Sequence, residues 1–561
     1  MLIDARQLPV GAVRTADVCV IGSGPAGITV ARELLAAGLQ VAVLESGGPA
    51  ADAEADRLQE AADGVRFGTV DQISGTRRVG GNANLWSVQI GDRRRGLRLV
   101  PLADSDLEHR PGIPDSGWPI TAADLAPAFR RAQRAFALPE TGYDGALWER
   151  TGAARLPLDA DVLRTDVFQF ADRTTFSQQH VAALATAPGC TLYHHAYALE
   201  LVTDSLGGRV TGVRAASTPG REVTFRAPAV VVAAGGLAST QLLLASPGVG
   251  RGLDRASGGR GADHLGRNFM DHPLLDGGVL LPDDPAVLDA MALYDLRRVD
   301  DVPVMGHLRL ADDVLRAEPV PQLSTLLFPR HRSQRAGDPD DDRALRAWGS
   351  AVAVRDALRA RRLPRPGDVW GALSRADAVL SRARHSGGRM STYVGHGGWS
   401  TYRRPSQRFD HLRVLHQGEQ LPAPHNRVRL GSQTDAFGMP RLAIDWAWSP
   451  QDAAGAARAH TLTADAVRRA GIGRLVPAVA GGSVDPVVLG SSTNHYLGTT
   501  RMSEDAGGGV VDPQCRVHGV DNLYVASTSV FPTGGFANPT LTLVALAARV
   551  ADTVLVALGM A

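Results

Sequence analysis

The run Asp17–Gly27 (DVCVIGSGPAG) constrains the fold of this chain more than any other stretch. Val18 to Ile21 are consecutive β-forming apolar residues, the pattern of a strand buried on both faces. Gly22, Gly24 and Gly27 then match G-x-G-x-x-G, with Pro25 and Ala26 between the last two. The first glycine permits the turn, the second lets backbone approach a pyrophosphate, and the third lets the helix pack on the strand. A helix over Ile28 to Ala37 ends at Gly38, a natural C′ residue. A second strand, Gln40 to Leu44, runs into Glu45, whose carboxylate suits a ribose diol, with Ser46 beside it. Strand, glycine turn, helix and acid together predict dinucleotide binding. The motif alone does not separate NAD from FAD.

At 561 residues the chain exceeds one ordinary core, so two domains or one large two-part domain are expected. A net charge of +1 gives no electrostatic case for nucleic acid or an anionic membrane. All 59 basic residues are arginine, which excludes Schiff-base lysine chemistry. The three scattered cysteines, Cys19, Cys190 and Cys515, form neither a disulfide framework nor a zinc pattern, so no metal is expected and a reducing cytoplasm suits the chain. The N-terminus lacks a signal-peptide pattern, and no apolar run of about 18 residues suggests a membrane span.

Further along, Ser74–Trp86 (SGTRRVGGNANLW) holds Arg78, the pair Gly80 and Gly81, then Asn82, Asn84 and Leu85 before the tryptophan. Such a segment lets backbone lie against a flat ligand, though it also fits a plain glycine turn before a strand. Thr121 and Asp124 open a helix. Three short alternating runs between Leu199 and Phe225 predict an antiparallel meander. Val230 to Thr240 reads as strand, turn and helix, either an ordinary βα unit or, through Ala234 and Gly235 in the turn, a second backbone contact to the dinucleotide. Residues 335–384 read as two amphipathic helices around Pro364, and Gln451 to Ala470 as another. Near the C-terminus, HYLGTTRM (His495–Met502) sets a histidine beside a glycine turn. Asn522–Thr540 (NLYVASTSVFPTGGFANPT) runs from strand through loop to a final helix, Thr540 to Leu558.

With these blocks and Gly266–Pro273 (GRNFMDHP), the chain resembles the glucose–methanol–choline (GMC) family of flavin-dependent alcohol oxidoreductases. Within it the chain looks nearest to pyranose 2-oxidase, the bacterial glycoside oxidases and the amino-sugar alcohol oxidases. The resemblance implies an α/β fold: a Rossmann-like FAD-binding domain assembled from separated segments, plus an α+β substrate domain with a large antiparallel sheet. The corresponding division is 1–110, 196–290 and 489–561 for the FAD domain, and 111–195 and 291–488 for the substrate domain. The implied cofactor is FAD. Leu85 stands where pyranose 2-oxidase has a histidine bonded to the flavin, so the FAD is expected to be non-covalent. Ser527 replaces an acid common in the family, leaving a neutral contact to phosphate or ribityl. Phe536 and Ala537 are expected to offer backbone N–H groups to the pyrimidine edge of the flavin.

The implied reaction removes a proton and a hydride from an alcohol carbon. His495 is the candidate base, since imidazole titrates near neutral pH. Asn538 fits either a donor to the developing alkoxide or an N-cap before Pro539. The expected substrate is a sugar, amino sugar, glycoside or related metabolite, with the electron acceptor and oligomeric state open. An NAD(P)-dependent alcohol dehydrogenase gives no role to the C-terminal block, and a non-catalytic electron-transfer flavoprotein predicts that no alcohol reduces the flavin.

Overall fold

A computed structural model describes residues 1–61, 75–90, 94–150, 152–330, 398–477 and 493–560, with scattered positions between 347 and 379. Of the two helices expected over 335–384, only Pro366–Leu373 is a described helix, and the rest lies largely outside the described residues.

A six-stranded parallel sheet forms the first layer. Its order is Leu2–Asp4, Cys190–His194, Val41–Leu44, Val18–Ile21, Ala229–Val232 and Leu523–Val525. Three of the four inner strands, VCVI, VAVL and AVVV, are buried at every residue, as continuous apolar runs require in a sheet covered on both faces. Ile21 pairs with Leu44 and with Val232. That register brings the turns after all three strands, and Glu45, to one carboxyl edge, where ligands of such sheets bind.

Helix Pro25–Ala36 leaves the first turn and stops before Gly38, whose φ of +85° is the left-handed conformation expected there. It packs against the last helix, Thr540–Ala557. Among the described residues this last helix alone is long and apolar enough to cross a bilayer, yet over half of it is buried in the protein. It also packs on Ala122–Ala135, whose start is closed by reciprocal Thr121 and Asp124 bonds.

The meander is present as Tyr197–Thr203, Val210–Thr218 and Arg221–Arg226, with Val13–Thr15 added at its edge. A nine-stranded sheet forms the other layer. It runs Gly473–Val476, Leu274–Pro282, His411–Gly418, Leu323–Arg330, Val302–Leu310, Leu163–Asp172, Arg95–Leu99 and Val88–Gln89, with Arg297–Val299 beside Val302–Leu310. Helix Pro450–Arg469 lies against it.

Strand membership cuts across the sequence boundaries at three places. Val88–Gln89, Arg95–Leu99 and Leu274–Pro282 belong to the large antiparallel sheet, while Cys190–His194 belongs to the parallel one.

Candidate active site

One cavity of about 840 Å³ runs from the fingerprint turn to the C-terminal histidine. At its first end Gly22 has φ +107°, and a Cβ on Gly27 would stand 1.9 Å from the Gly22 carbonyl oxygen, so both positions demand glycine. Gly24 and Gly235 have nothing within 4 Å of where a Cβ would stand, and both line the cavity. Gly81 faces Gly24, its notional Cβ 2.9 Å from the Gly24 Cα. The Gly80 N–H donates to Ser23 Oγ (3.2 Å), which ties the two glycine turns together. The result is a slot walled by backbone, the right shape and chemistry for a pyrophosphate. Glu45 accepts from Ser23 N (3.2 Å), Ser23 Oγ (2.7 Å) and Gly47 N (3.0 Å), and lines the slot.

At the far end, Leu497 bridges Met270, which sets the DHP segment beside His495. Asp271 Oδ1 accepts from the His495 N–H (2.9 Å), and His272 Nδ1 lies 2.9 Å from His495 Nδ1. On the other side of the ring, Asn538 Nδ2 is 3.4 Å from His495 Nε2. The Asn538 Oδ1 accepts from Arg98 Nε (2.9 Å) and Gln417 Nε2 (3.1 Å). Arg98 also bonds Gln417 and stacks over Phe168, 4.8 Å from the ring centre. An arginine has only donors, so the amide oxygen must face it and the amide NH₂ must face His495. Asn538 is therefore not an N-cap: helix Thr540–Ala557 has no side-chain cap.

Burial governs the electrostatics. It holds His495 well below the usual imidazole range, with His272 and the Arg98 charge acting in the same direction. Burial also lowers His272 to about 4 and Arg98 to about 10. His495 is thus neutral at pH 7, with a proton-accepting nitrogen available to a ligand in the cavity.

Of the expected cofactor residues, Gly22, Gly24, Pro25, Ala26, Glu45, Ser46, Gly81, Asn82, Leu85, Trp86, Ala234, Gly235 and Asn538 line this cavity, as does His495. The others sit behind it. Gly27 packs helix on strand, and Gly80 shapes the loop with φ +90°. Asn84 braces the same loop through Val79 O and Gly81 O. Arg78 reaches the Pro49 carbonyl, and its neighbour Arg77 lines the cavity instead. Ser527 caps the short helix Thr528–Val530, with Ala526 taking the lining position. Phe536 and Ala537 are buried, and the Phe536 carbonyl accepts from Gln417 (2.6 Å).

Motif reading missed Arg98, Gln417, the Ala196–Ala198 wall and His272, although His272 stands inside a quoted block. Glu419 is fully buried in an ion pair with Arg110 (2.6 Å) and so is not available to a sugar amine. One His/Asp group among the described residues, Asp4, His194 and His195, brings three ligand atoms within 4.8 Å of one another. The Arg6 guanidinium already spans both Asp4 oxygens (3.0 and 2.6 Å).

Comparison with known proteins follows the same geography. The family profile described as FAD dependent oxidoreductase matches residues 17–257, and the profile described as GMC oxidoreductase matches 422–547. Paromamine 6'-oxidase of Streptomyces fradiae is 34% identical over 133 residues, 24% of this chain and 23% of that protein. C-glycoside 3-oxidase of Arthrobacter globiformis is 41% identical over 118 residues, 20% and 21% of the two chains. Pyranose 2-oxidase of Tricholoma matsutake is 32% identical over 139 residues, 25% and 23%. The aligned parts therefore span about a quarter of these relatives. A crystal structure of formate oxidase matches the fold with a TM-score of 0.50 and 16% identity, over 98% of this chain and 99% of that one. One profile covers the glycine slot and the other the segment carrying His495 and Asn538, so the two ends of the site resemble the FAD dependent oxidoreductases and the GMC oxidoreductases respectively, and both matches support FAD as the cofactor.

Proposed function

We propose that the protein oxidises a hydroxyl-bearing carbon of a sugar, amino sugar or glycoside to a carbonyl. The observation that carries this reading is the pairing of His495 Nε2 with Asn538 Nδ2, 3.4 Å apart, in the cavity that begins at the fingerprint turn. The names of the relatives (paromamine, C-glycosides, pyranoses) support the carbohydrate class.

Bound FAD supplies the acceptor for the two electrons that leave carbon as hydride. Everything else falls to the chain. His495 takes the hydroxyl proton at Nε2, and its low basicity keeps that nitrogen free at neutral pH. Asn538 donates to the oxygen as negative charge grows, an aligned dipole that needs no reorganisation. Arg98 and Gln417 hold that amide in its donating orientation. With Leu85 in the glycine block, FAD is held without a covalent bond.

The test is anaerobic mixing of the yellow protein with D-glucose, methyl β-D-glucoside and paromamine. At least one should bleach the flavin band, and His495→Ala should retain bound FAD while reducing it about 100-fold more slowly or worse. Bleaching at the parent rate in that variant would remove His495 from the reaction. An inert flavin with every carbohydrate would favour the electron-transfer reading.

A further inference from the structure

We propose that His272 is the positioning residue of this site: by accepting a hydrogen bond from His495 Nδ1–H, it fixes the ring tautomer that leaves His495 Nε2 free for the substrate proton. This deepens the proposed reaction and rests on it.

Three contacts converge on the assignment. His272 Nδ1 and His495 Nδ1 are 2.9 Å apart, so one of them carries the shared hydrogen and the other a lone pair. The remaining nitrogen of His272, Nε2, is sealed in the interior against the Gly534–Gly535 backbone, 3.0 Å from where a Gly534 Cβ would stand. It makes no regular hydrogen bond, but those backbone groups act on it in the direction that holds a proton. A proton on His272 Nε2 makes its Nδ1 the acceptor, and His495 Nδ1 the donor.

The opposite side of the His495 ring reaches the same answer independently. Asn538 presents only N–H to His495 Nε2, because its oxygen is taken by Arg98 and Gln417. A donor facing Nε2 requires a lone pair there. Both neighbours thus select one tautomer, protonated at Nδ1 and basic at Nε2. The other groups around the pair are Arg98, whose charge disfavours a second proton on either ring, and Asp271, which accepts the His495 and His272 backbone N–H groups.

When Nε2 takes the hydroxyl proton, the His495 cation keeps its Nδ1–H bond to a neutral acceptor. The arrangement serves the orienting role that a carboxylate plays in a hydrolase triad, with a neutral imidazole as the acceptor at Nδ1. Burial keeps His272 itself neutral, near a pKa of about 4, so the acceptor stays in place across the neutral range.

The test uses FAD-loaded protein labelled with ¹⁵N only in histidine, at pH 7.5 without substrate. His495 signals are assigned by their loss in His495→Ala. The expected parent spectrum shows a protonated Nδ1 and an unprotonated Nε2. His272→Leu should convert His495 to the opposite tautomer or a mixture, and His272→Asn, whose amide oxygen stands near the lost Nδ1, should restore it. A parent ring protonated at Nε2, or a spectrum unchanged in His272→Leu, overturns the inference. In anaerobic reduction by methyl β-D-glucoside, His272→Leu should slow the flavin step about 100-fold with little change in the half-saturating concentration, and His272→Asn should recover most of it. Equal losses in both variants mean packing alone and also overturn it. If His495→Ala is inactive while His272→Leu reduces at the parent rate, this inference fails alone. If His495→Ala is fully active, the proposed reaction fails first.

Discussion

Arg98 is the residue whose environment says most about the site. It is 5% exposed and reaches the cavity from Arg95–Leu99 in the antiparallel sheet, where it pairs across to Phe170. Its charge helps keep His495 deprotonated, and its Nε orients Asn538. Replacing it with methionine, which preserves the packing over Phe168, removes both effects. In Arg98→Met the flavin-reduction rate should fall about tenfold as the amide loses its fixed direction. The acid limb of the pH profile should also move to higher pH, because a positive charge that lowers the His495 pKa is gone. A pH series of stopped-flow reduction measures both. An acid limb that stays where it is in the parent would mean that burial alone sets His495.

At the scale of the element, the glycine turn separates two roles that the motif writes with one letter. A methyl on Gly27 meets the Gly22 carbonyl at 1.9 Å, whereas one on Gly24 meets no protein atom within 4 Å. Gly27→Ala should therefore cost about 1–3 kcal/mol of apoprotein stability through forced overpacking. Gly24→Ala should leave the apoprotein melt unchanged and weaken FAD binding at least tenfold. Differential scanning fluorimetry and flavin fluorescence titration distinguish them. These roles were legible in the sequence because strand, turn and helix are contiguous, so spacing alone sets the geometry. His495 and Asn538 were legible through their blocks for a similar reason. Arg98 and Gln417 were not: each lies in a strand whose partners come from distant sequence, and one arginine among 59 carries no mark. The choice between cap and donor at Asn538 was equally hidden, since Arg98 decides it from 440 positions away.

For the molecule as a whole, buried histidines set the response to acid. His272 is held at about 4, and His307, His416 and His495 well below the ordinary value, in each case chiefly by burial. A group whose folded pKa is depressed binds fewer protons in the fold, so its stability is complete above about pH 6.5 and drains as pH falls through the folded value. His272 alone accounts for about 3 kcal/mol between pH 6.5 and 4. The melting temperature should fall steeply over that interval, and His416→Gln, at a ring that bonds Thr325 and His460 and does not line the cavity, should soften the slope. A flat melting temperature from pH 7 to 4.5 would mean that these rings are hydrated in solution. The fully buried Arg110–Glu419 pair sits in the same interior, where losing either partner strands a charge at a cost of about 3–5 kcal/mol.

The parallel sheet draws its outer strand, Leu523–Val525, from the far end of the polypeptide, hydrogen-bonded to Ala229–Val232 and through it to the opening strand. Strand Leu523–Val525, the His495 imidazole and helix Thr540–Ala557 all come from one contiguous stretch of sequence. Removing residues 489–561 should therefore cost flavin retention as well as turnover, because one cut takes away both a strand of the cofactor sheet and the His495 and Asn538 wall of the cavity.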